Sequence, residues 1–412
     1  MNIALVSKAT APGGGASRMA EDLSTLLRRA GHTVDHWVGY YSGEPKDHVR
    51  QLHGKYMRRP IRAAHKLSAR LGLQEYWPLE WRVFAPHGHG YDIIHVHDTM
   101  FTAAPRTVAH MAEVAPTVWT LHDCSPFTGG CLWPLDCSKF ESQCGSCPQH
   151  GAWPLTSRRD QSRKLRRHKG KIFQDSAIIP LAPSQWMAAM ADRSGLFREK
   201  TRLLPNGIDT NQFAPGDKTA LCSELGLDVD NNTLLVLLAS GSLDNPYKGL
   251  DYALQALRRL EQKTALLVVG ILSETTRQRF NGLSPHATGY IHDNALQARY
   301  YAAADVLLYT PLADNHPLTV IEAMACGTPV VGFSTGGVPE IVDHQHSGFL
   351  CDTGDVDGLI QGLRQALNPD VRREWSANAR QAAVERFSQD LFLKRHHDLY
   401  TKLIAERGRS HA

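Results

Sequence analysis

Short apolar runs recur along this chain, separated by stretches in which apolar residues return every three or four positions. Runs of the first kind read as buried parallel strands and stretches of the second kind as amphipathic helices. The pattern predicts strands at Ile3–Val6, Val34–Val38, Ile93–Val96, Thr117–Leu121 and Ile178–Leu181. A connection over Ala182–Asp217 precedes a second series at Leu234–Leu238, Leu266–Val269, Val306–Tyr309 and Val330–Phe333. Helices fit Ser17–Ala30, with Ser17 as N-cap and Gly31 as terminator, and Leu250–Leu260, Ala295–Ala304, Leu318–Cys326 and Val356–Leu367. A last helical stretch covers Leu391–Ala405. Strand–helix alternation of this kind predicts the α/β class, with two doubly wound, Rossmann-like domains.

Composition changes the picture little. A chain of 412 residues, 42% of them hydrophobic, can bury two cores. The opening Met1–Val6 is interrupted too soon by Lys8 and the following glycines to read as a signal peptide. No apolar run approaches the roughly eighteen residues of a membrane span. A cytoplasmic protein is expected. Charge is more informative, because the net +4 hides a strong asymmetry. Arg158–Lys171 holds eight Lys/Arg against the single Asp160. A second basic stretch sets Arg58, Arg59, Arg62, Lys66 and Arg70 among Met57, Ile61, Leu67 and Leu71. A solvated helix face and a helix resting on an anionic membrane, peripheral on its cytoplasmic side, both fit that pattern. Nucleic acid is not expected as a partner, since no base-reading motif accompanies the charge.

The densest chemistry lies in Pro311–Glu340, PLADNHPLTVIEAMACGTPVVGFSTGGVPE. Asp314 stands in a loop, Pro317 suits the first helical position, and Glu322 follows inside a short helix that stops at Gly327. A helix start offers free N–H groups to anionic oxygens, and carboxylates accept hydrogen bonds from hydroxyls. A ligand that carries both phosphates and sugar hydroxyls suits the combination.

This segment resembles the E-x7-E signature of the retaining, nucleotide-sugar-dependent glycosyltransferases of family 4, which have the GT-B fold. The first acid here is Asp314, one methylene shorter, while EAMACGTPVV and the Gly336-Gly337 turn agree as well. The resemblance implies two Rossmann-like domains facing a cleft. They would be an acceptor-binding domain over 1–205 and a donor-binding domain over 206–387, with 388–412 as a C-terminal helix returning to the first. It implies a nucleoside diphosphate sugar donor, linked to uridine or guanosine, and a saccharide acceptor on a lipid carrier. A setting in bacterial surface polysaccharide assembly follows, with no cofactor required for catalysis. Glu322 would bind the ribose, Asp314 a sugar hydroxyl, Lys248 the donor phosphates, and the backbone of Pro317, Leu318 and Thr319 the sugar or β-phosphate. Gly241 and Ser242 resemble the family's pyrophosphate loop, with Ser242 where many members have Arg. Gly270, Tyr290 and Ile291 would lie at the base. The glycine loop Gly13, Gly14 and Gly15 would face the diphosphate from the acceptor side, where Asp98 and Asp123 end strands. His122, in Thr120-Leu121-His122-Asp123, matches the position that contacts the donor sugar near its 6-hydroxyl. Other enzymes on this fold, a sugar-nucleotide epimerase or a phosphorylase, and a catalytically silent assembly factor on the membrane remain alternatives.

Five of the eight cysteines fall between Cys124 and Cys147. Cys131, Cys137, Cys144 and Cys147 follow a C-x5-C-x6-C-x2-C spacing. A closing C-x-x-C is a usual half of a tetrahedral zinc site. Structural zinc, reduced thiols, and a disulfide or cluster are all open. The segment also resembles an inserted loop, at about 124–150, of the exopolysaccharide, O-antigen and colanic-acid subgroup of these transferases.

Overall fold

A computed structural model describes the chain except residues 11–13, 42–45, 74–75, 231–232 and 411–412. The chain divides into two compact units: residues 1–204 with 393–412, and residues 205–392.

The first unit is built on the strands β1 (Asn2–Ala9), β2 (Thr33–Tyr40), β3 (Val49–Gln51), β4 (Ile93–Val96), β5 (Thr117–Thr120), β6 (Ile178–Ala182) and β7 (Arg202–Leu203). They form one parallel sheet in the order β3-β2-β1-β4-β5-β6-β7. Its helices are α1 (Gly15–Arg29), α2 (Arg58–Arg70), α3 (Trp81–Gly88), α4 (Pro105–Val114), α5 (Ser162–Gln174) and α6 (Gln185–Ser194). β4 and β5 are buried at every residue, as central strands of a parallel sheet are.

The second unit carries β8 (Leu234–Ser242), β9 (Thr264–Ile271), β10 (His286–Ala287), β11 (Val306–Tyr309), β12 (Val330–Phe333) and β13 (Gly348–Cys351). Their order is β10-β9-β8-β11-β12-β13, again all parallel. Around them lie α7 (Lys218–Glu224), α8 (Leu250–Arg259), α9 (Glu274–Gln278), α10 (Asn294–Ala303), α11 (Leu318–Ala325), α12 (Val356–Leu367) and α13 (Pro369–Phe387). The final helix α14 (Gln389–Ser410) begins in the second unit and belongs to the first from Leu393 onward. There the buried Tyr400 hydroxyl meets His95 Nδ1 at 2.5 Å.

Three local expectations need correction. α1 starts at Gly15 with Gly14 as its N-cap, so Ser17 is a buried residue inside the first turn rather than the cap. Pro317 is the N-cap of α11 and not its first helical residue. α13, at 19 residues, has no counterpart among the predicted helices. Its buried stripe is Trp375, Ala379, Ala383 and Phe387, and alanine at two of those four positions leaves little apolar signal.

Among the described residues no helix is long and apolar enough to cross a membrane. α2 turns Ile61, His65 and Ser68 inward and leaves Arg58, Arg59, Arg62, Lys66, Leu67 and Arg70 exposed. His65 is anchored by a short hydrogen bond to Glu80, whose carboxylate is fully buried and also accepts from Thr107 Oγ1 at 3.0 Å.

Candidate functional site

In the second unit the strand order reverses between β8 and β11, so the loops leaving their carboxyl ends diverge and open a crevice. After β8 the chain makes a short helical turn, Pro246–Lys248, in which Asn245 Oδ1 accepts the Tyr247 N–H at 3.0 Å. That turn is stapled to the loop after β11. Thr310 Oγ1 donates to the Lys248 and Gly249 carbonyls at 3.3 and 3.1 Å, and the Leu312 N–H donates to Tyr247 O at 2.8 Å. Gly249 sits at φ 63°, and a Cβ there would collide with the Thr310 carbonyl oxygen.

The staple delivers Lys248 Nζ to Asp314 Oδ2 at 2.9 Å. The Tyr309 hydroxyl, at the end of β11, donates to the same oxygen at 2.7 Å, and the Asn315 N–H donates to Oδ1 at 3.0 Å. Burial works to raise the Asp314 pKa, but the charge and hydrogen bond of Lys248, with Tyr309 and Asn315, outweigh it and hold the carboxyl below its usual value. Burial, then the neighbouring Asp314, pushes the Tyr309 phenol well up. The Lys248 and Asp314 side chains are 29% and 17% exposed, so a ligand can reach both. Behind them the Gly336-Gly337 turn closes in. Its Gly337 N–H donates to the Asp314 carbonyl at 3.3 Å, and a Cβ on Gly336 would strike that carbonyl.

Pro317 opens α11 with no side-chain cap, and Leu318 and Thr319 are half-buried in its first turn. Glu322 is 1% exposed and accepts from Gln297 Nε2 at 2.8 Å. Gln297, on α10, also donates to the Tyr301 hydroxyl at 3.1 Å. Nearby, Gly241 and Ser242 end β8, and Gly270 ends β9 against the Ser240 carbonyl. The Gly270 N–H donates to the Gly289 carbonyl at 2.9 Å, which fixes the turn carrying Tyr290 and Ile291. Tyr290 is exposed and meets the His292 ring edge-on at 4.7 Å, while Ile291 packs on the core.

The first unit has its reversal between β1 and β4. Gly14 and Gly15 open α1 there, and Gly13 lies outside the described residues. Beyond β4 and β5 come His97 with Asp98 and His122 with Asp123. His97 Nδ1 and His122 Nε2 share a hydrogen bond at 3.0 Å, and their rings stack at 5.3 Å. A further stack joins His95 to His97 at 4.1 Å. Burial pushes the His122 pKa down to about 4 and that of His97 well below its ordinary value, so both rings are neutral. Asp98 Oδ1 accepts the Met100 N–H at 2.9 Å and Asp123 Oδ1 the Ser125 N–H at 2.7 Å. Burial, helped by the charge of Asp98, raises the Asp123 pKa to about 6.

Cys131, Cys137, Cys144 and Cys147 line one small cavity in the segment between β5 and α5, and Cys124 is not among its lining residues. All eight cysteines are free thiols. Among the described residues no set of three or more His, Cys, Asp or Glu side chains, as it stands, is grouped to hold a metal ion.

Two residues at these sites carried no expectation of a role. Tyr309 had a usable signal, since a tyrosine ending a buried strand needs a partner for its hydroxyl. Gln297 had none. His95 and His97, which end a strand beside Asp98, were expected with it on the acceptor side.

Residues 13–212 match the family model described as Glycosyltransferase Family 4, and residues 235–369 match that of the Glycosyl transferases group 1. A D-inositol 3-phosphate glycosyltransferase of Saccharomonospora viridis is 32% identical over 208 residues, covering 46% of this chain and 47% of that protein. The chain spans about half the length of the first such curated relatives. Among solved structures, sucrose-phosphate synthase from Thermosynechococcus elongatus superposes with a TM-score of 0.74 at 21% identity, covering 98% of this chain and 99% of that one. Anabaena HepE in complex with UDP-glucose gives a TM-score of 0.67 at 20% identity over the whole of both chains. Two adjoining transferase models that together span most of the chain, and a whole-length likeness of fold, place it among the glycosyltransferases with the GT-B fold, its first unit matching family 4.

Proposed function

We propose that the chain transfers a sugar from a nucleoside diphosphate sugar to a saccharide hydroxyl, with retention of anomeric configuration. The observation that carries this reading is the cluster of Lys248, Tyr309 and Asp314 at the mouth of β8 and β11, with Glu322 buried just past the first turn of α11. A cation suits a diphosphate, and acceptor carboxylates suit ribose and sugar hydroxyls. In the transfer the C1–oxygen bond to the diphosphate breaks as the acceptor oxygen bonds to C1 on the same face. The acceptor's proton passes to the departing β-phosphate oxygen. Such a step asks the protein for charge stabilisation and positioning rather than a dedicated base. Lys248 and the uncapped N–H groups of α11 stabilise the departing phosphate, Asp314 holds the sugar, and Glu322 holds the ribose.

A solved complex of HepE holds UDP-glucose, which makes uridine the first base to test. We propose a lipid-linked acceptor and a setting in bacterial surface polysaccharide assembly on the cytoplasmic face of the inner membrane. Another structural relative, WaaG, is described as a glycosyltransferase of lipopolysaccharide biosynthesis. The exposed arginines of α2, with Leu67 and Leu71 beside them at 51% and 49% exposure, are the surface that would meet anionic lipid. The reading is tested by thermal stabilisation across a panel of nucleoside mono- and diphosphates and their sugars, since a ligand of the native state raises stability by mass action. A shift with one diphosphate sugar, followed by transfer of its labelled sugar to an acceptor extract, is expected. No shift with any nucleoside diphosphate would remove the donor assignment.

A further inference from the structure

The segment from Leu121 to Gln161 holds only two three-residue helical turns, Ser125–Phe127 and Lys139–Glu141. A stretch this long with so little regular structure needs a fixed point of another kind to keep one conformation. Its interior is the cavity lined by Cys131, Cys137, Cys144 and Cys147. The other lining residues are glycines, prolines, Lys139, Phe140, Leu155 and Ser162. The cavity measures about 20 Å³. That is room for one water-sized occupant, and far too little for an iron–sulfur cluster.

The Thr128 hydroxyl donates to the Cys131 carbonyl at 2.8 Å and accepts the Gly130 N–H at 3.1 Å, and Asp160 Oδ2 accepts the Cys147 N–H at 2.8 Å, so the backbone of the segment is pinned around the cavity. Cys144-Gly145-Ser146-Cys147 is a tight turn with Gly145 at φ 128° and Ser146 at φ 45°. Both of its cysteines face the cavity.

Four cations then close on the same segment through its carbonyls. Lys139 Nζ donates to Ser146 O at 2.8 Å, Arg163 Nε to Cys144 O at 3.2 Å, Arg166 Nε to Phe140 O at 2.6 Å, and Lys169 Nζ to Ser125 O at 2.6 Å. Three of the four come from the basic run on α5. That run is therefore not a plain solvated face: Lys169 is only 6% exposed.

We propose that this cavity is a structural zinc site, with Cys131, Cys137, Cys144 and Cys147 as the four thiolate ligands. The four cysteines line the cavity but, as they stand, are not grouped for ligation. The fold supplies the cavity and a cationic rim, and the ion supplies the attraction that draws the four sulfurs together. Each thiol releases a proton to solvent as Zn2+ binds. Four thiolates around a divalent ion leave a net double negative charge, which the lysines and arginines of the rim offset. Zinc is the metal of choice because a closed, four-thiolate, tetrahedral pocket suits a soft ion with no need of an open position. The inference is independent of the transfer reaction.

The experiment uses the full chain, purified without chelator under reducing conditions. Elemental analysis should find about one zinc per chain, released when a mercurial reagent modifies the thiols. Cobalt exchanged into the native chain should show the visible and charge-transfer bands of tetrahedral thiolate ligation. Paired Cys144→Ser and Cys147→Ser substitutions should abolish the metal, and Cys351→Ser should retain it. If the paired variant does not fold, the cobalt spectrum of the native chain decides. A metal-free chain with four freely titrating thiols overturns the proposal. So does an intact mass lower by the hydrogens of two disulfides, or zinc that persists in the paired variant.

Discussion

The two units share an architecture and differ in the chemistry they place at the same point of it. Each is a parallel sheet whose strand order reverses near its middle, and each brings polar side chains to that reversal. The second unit sets a cation against a carboxylate there, Lys248 on Asp314, with a buried Glu322 held by Gln297. The first sets neutral stacked rings, His95, His97 and His122, beside two carboxylates of which Asp123 is raised to about 6. Topology therefore decides where a ligand can be met, and side-chain choice decides what is met there. Fixed opposite charges occupy the reversal in the second unit, and uncharged rings beside two carboxylates occupy it in the first.

The largest test of this contrast is a pair of matched substitutions. Glu322→Gln removes an anionic acceptor of two hydroxyls, each charge-assisted bond being worth about 1.5–3 kcal/mol. Turnover should fall by roughly two to four orders of magnitude while the far-ultraviolet spectrum is retained. Asp123→Asn should cost less, about ten- to a hundredfold at neutral pH, because it weakens one charge-assisted hydrogen bond of about 1.5–3 kcal/mol rather than two. Equal losses would erase the distinction between the two units.

Next in size is Lys248→Met, read by calorimetry. Nucleoside diphosphate affinity should drop by roughly ten- to a hundredfold and monophosphate affinity by much less, since charge-assisted bonds to a phosphate are the strong ones. A common loss for both nucleotides would take Lys248 away from the β-phosphate.

Tyr309→Phe is subtler. It deletes one of the two side-chain donors to Asp314 Oδ2, so the carboxyl pKa should rise toward its usual value. Activity should fall by roughly tenfold. The acid limb of the pH–rate profile should move upward, which a merely structural tyrosine would not cause.

The smallest expected effect is on stability. His36 and His122 are both held near 4 by burial. A depressed pKa stabilises above the unfolded value of about 6.5, and that stability is lost as pH falls through about 4. Asp123 opposes this, because its raised pKa favours the folded state as pH drops through about 6. With His95 and His97 also depressed, the histidines outnumber it. The first unit's melting temperature should therefore fall across pH 6.5 to 4, and calorimetry with His36→Gln should flatten that slope.

Much of this was readable beforehand for identifiable reasons. β11 and β12 are unbroken apolar runs with sharp ends, and their observed bounds coincide with the predicted ones, as do those of α12. α13 was hidden because its inward face is half alanine, whose small side chain adds packing but little contrast. The short edge strands β3, β7 and β10 are too brief, at two or three residues, to show a period. At the site, Asp314, Glu322 and Lys248 stood out by motif, but their partners Tyr309 and Gln297 did not. Those contacts join segments 5 and 25 positions apart through a fold that local pattern does not encode. The basic run at 158–171 was visible as charge alone. That three of its side chains grip carbonyls of the cysteine segment is a fact of packing.

Gly249 and Gly336 carry one more implication, for how mutational tolerance would be mapped. Neither offers an atom to a ligand by its side chain, yet each leaves no room for a Cβ beside a backbone carbonyl. In a saturation library sorted only for protein abundance, both should reject every substitution. Gly241, whose surroundings are open, should accept many. Depletion at Gly241 that emerges only when the library is sorted for activity would then be a mark of the ligand, separated from the fold by which selection reveals it.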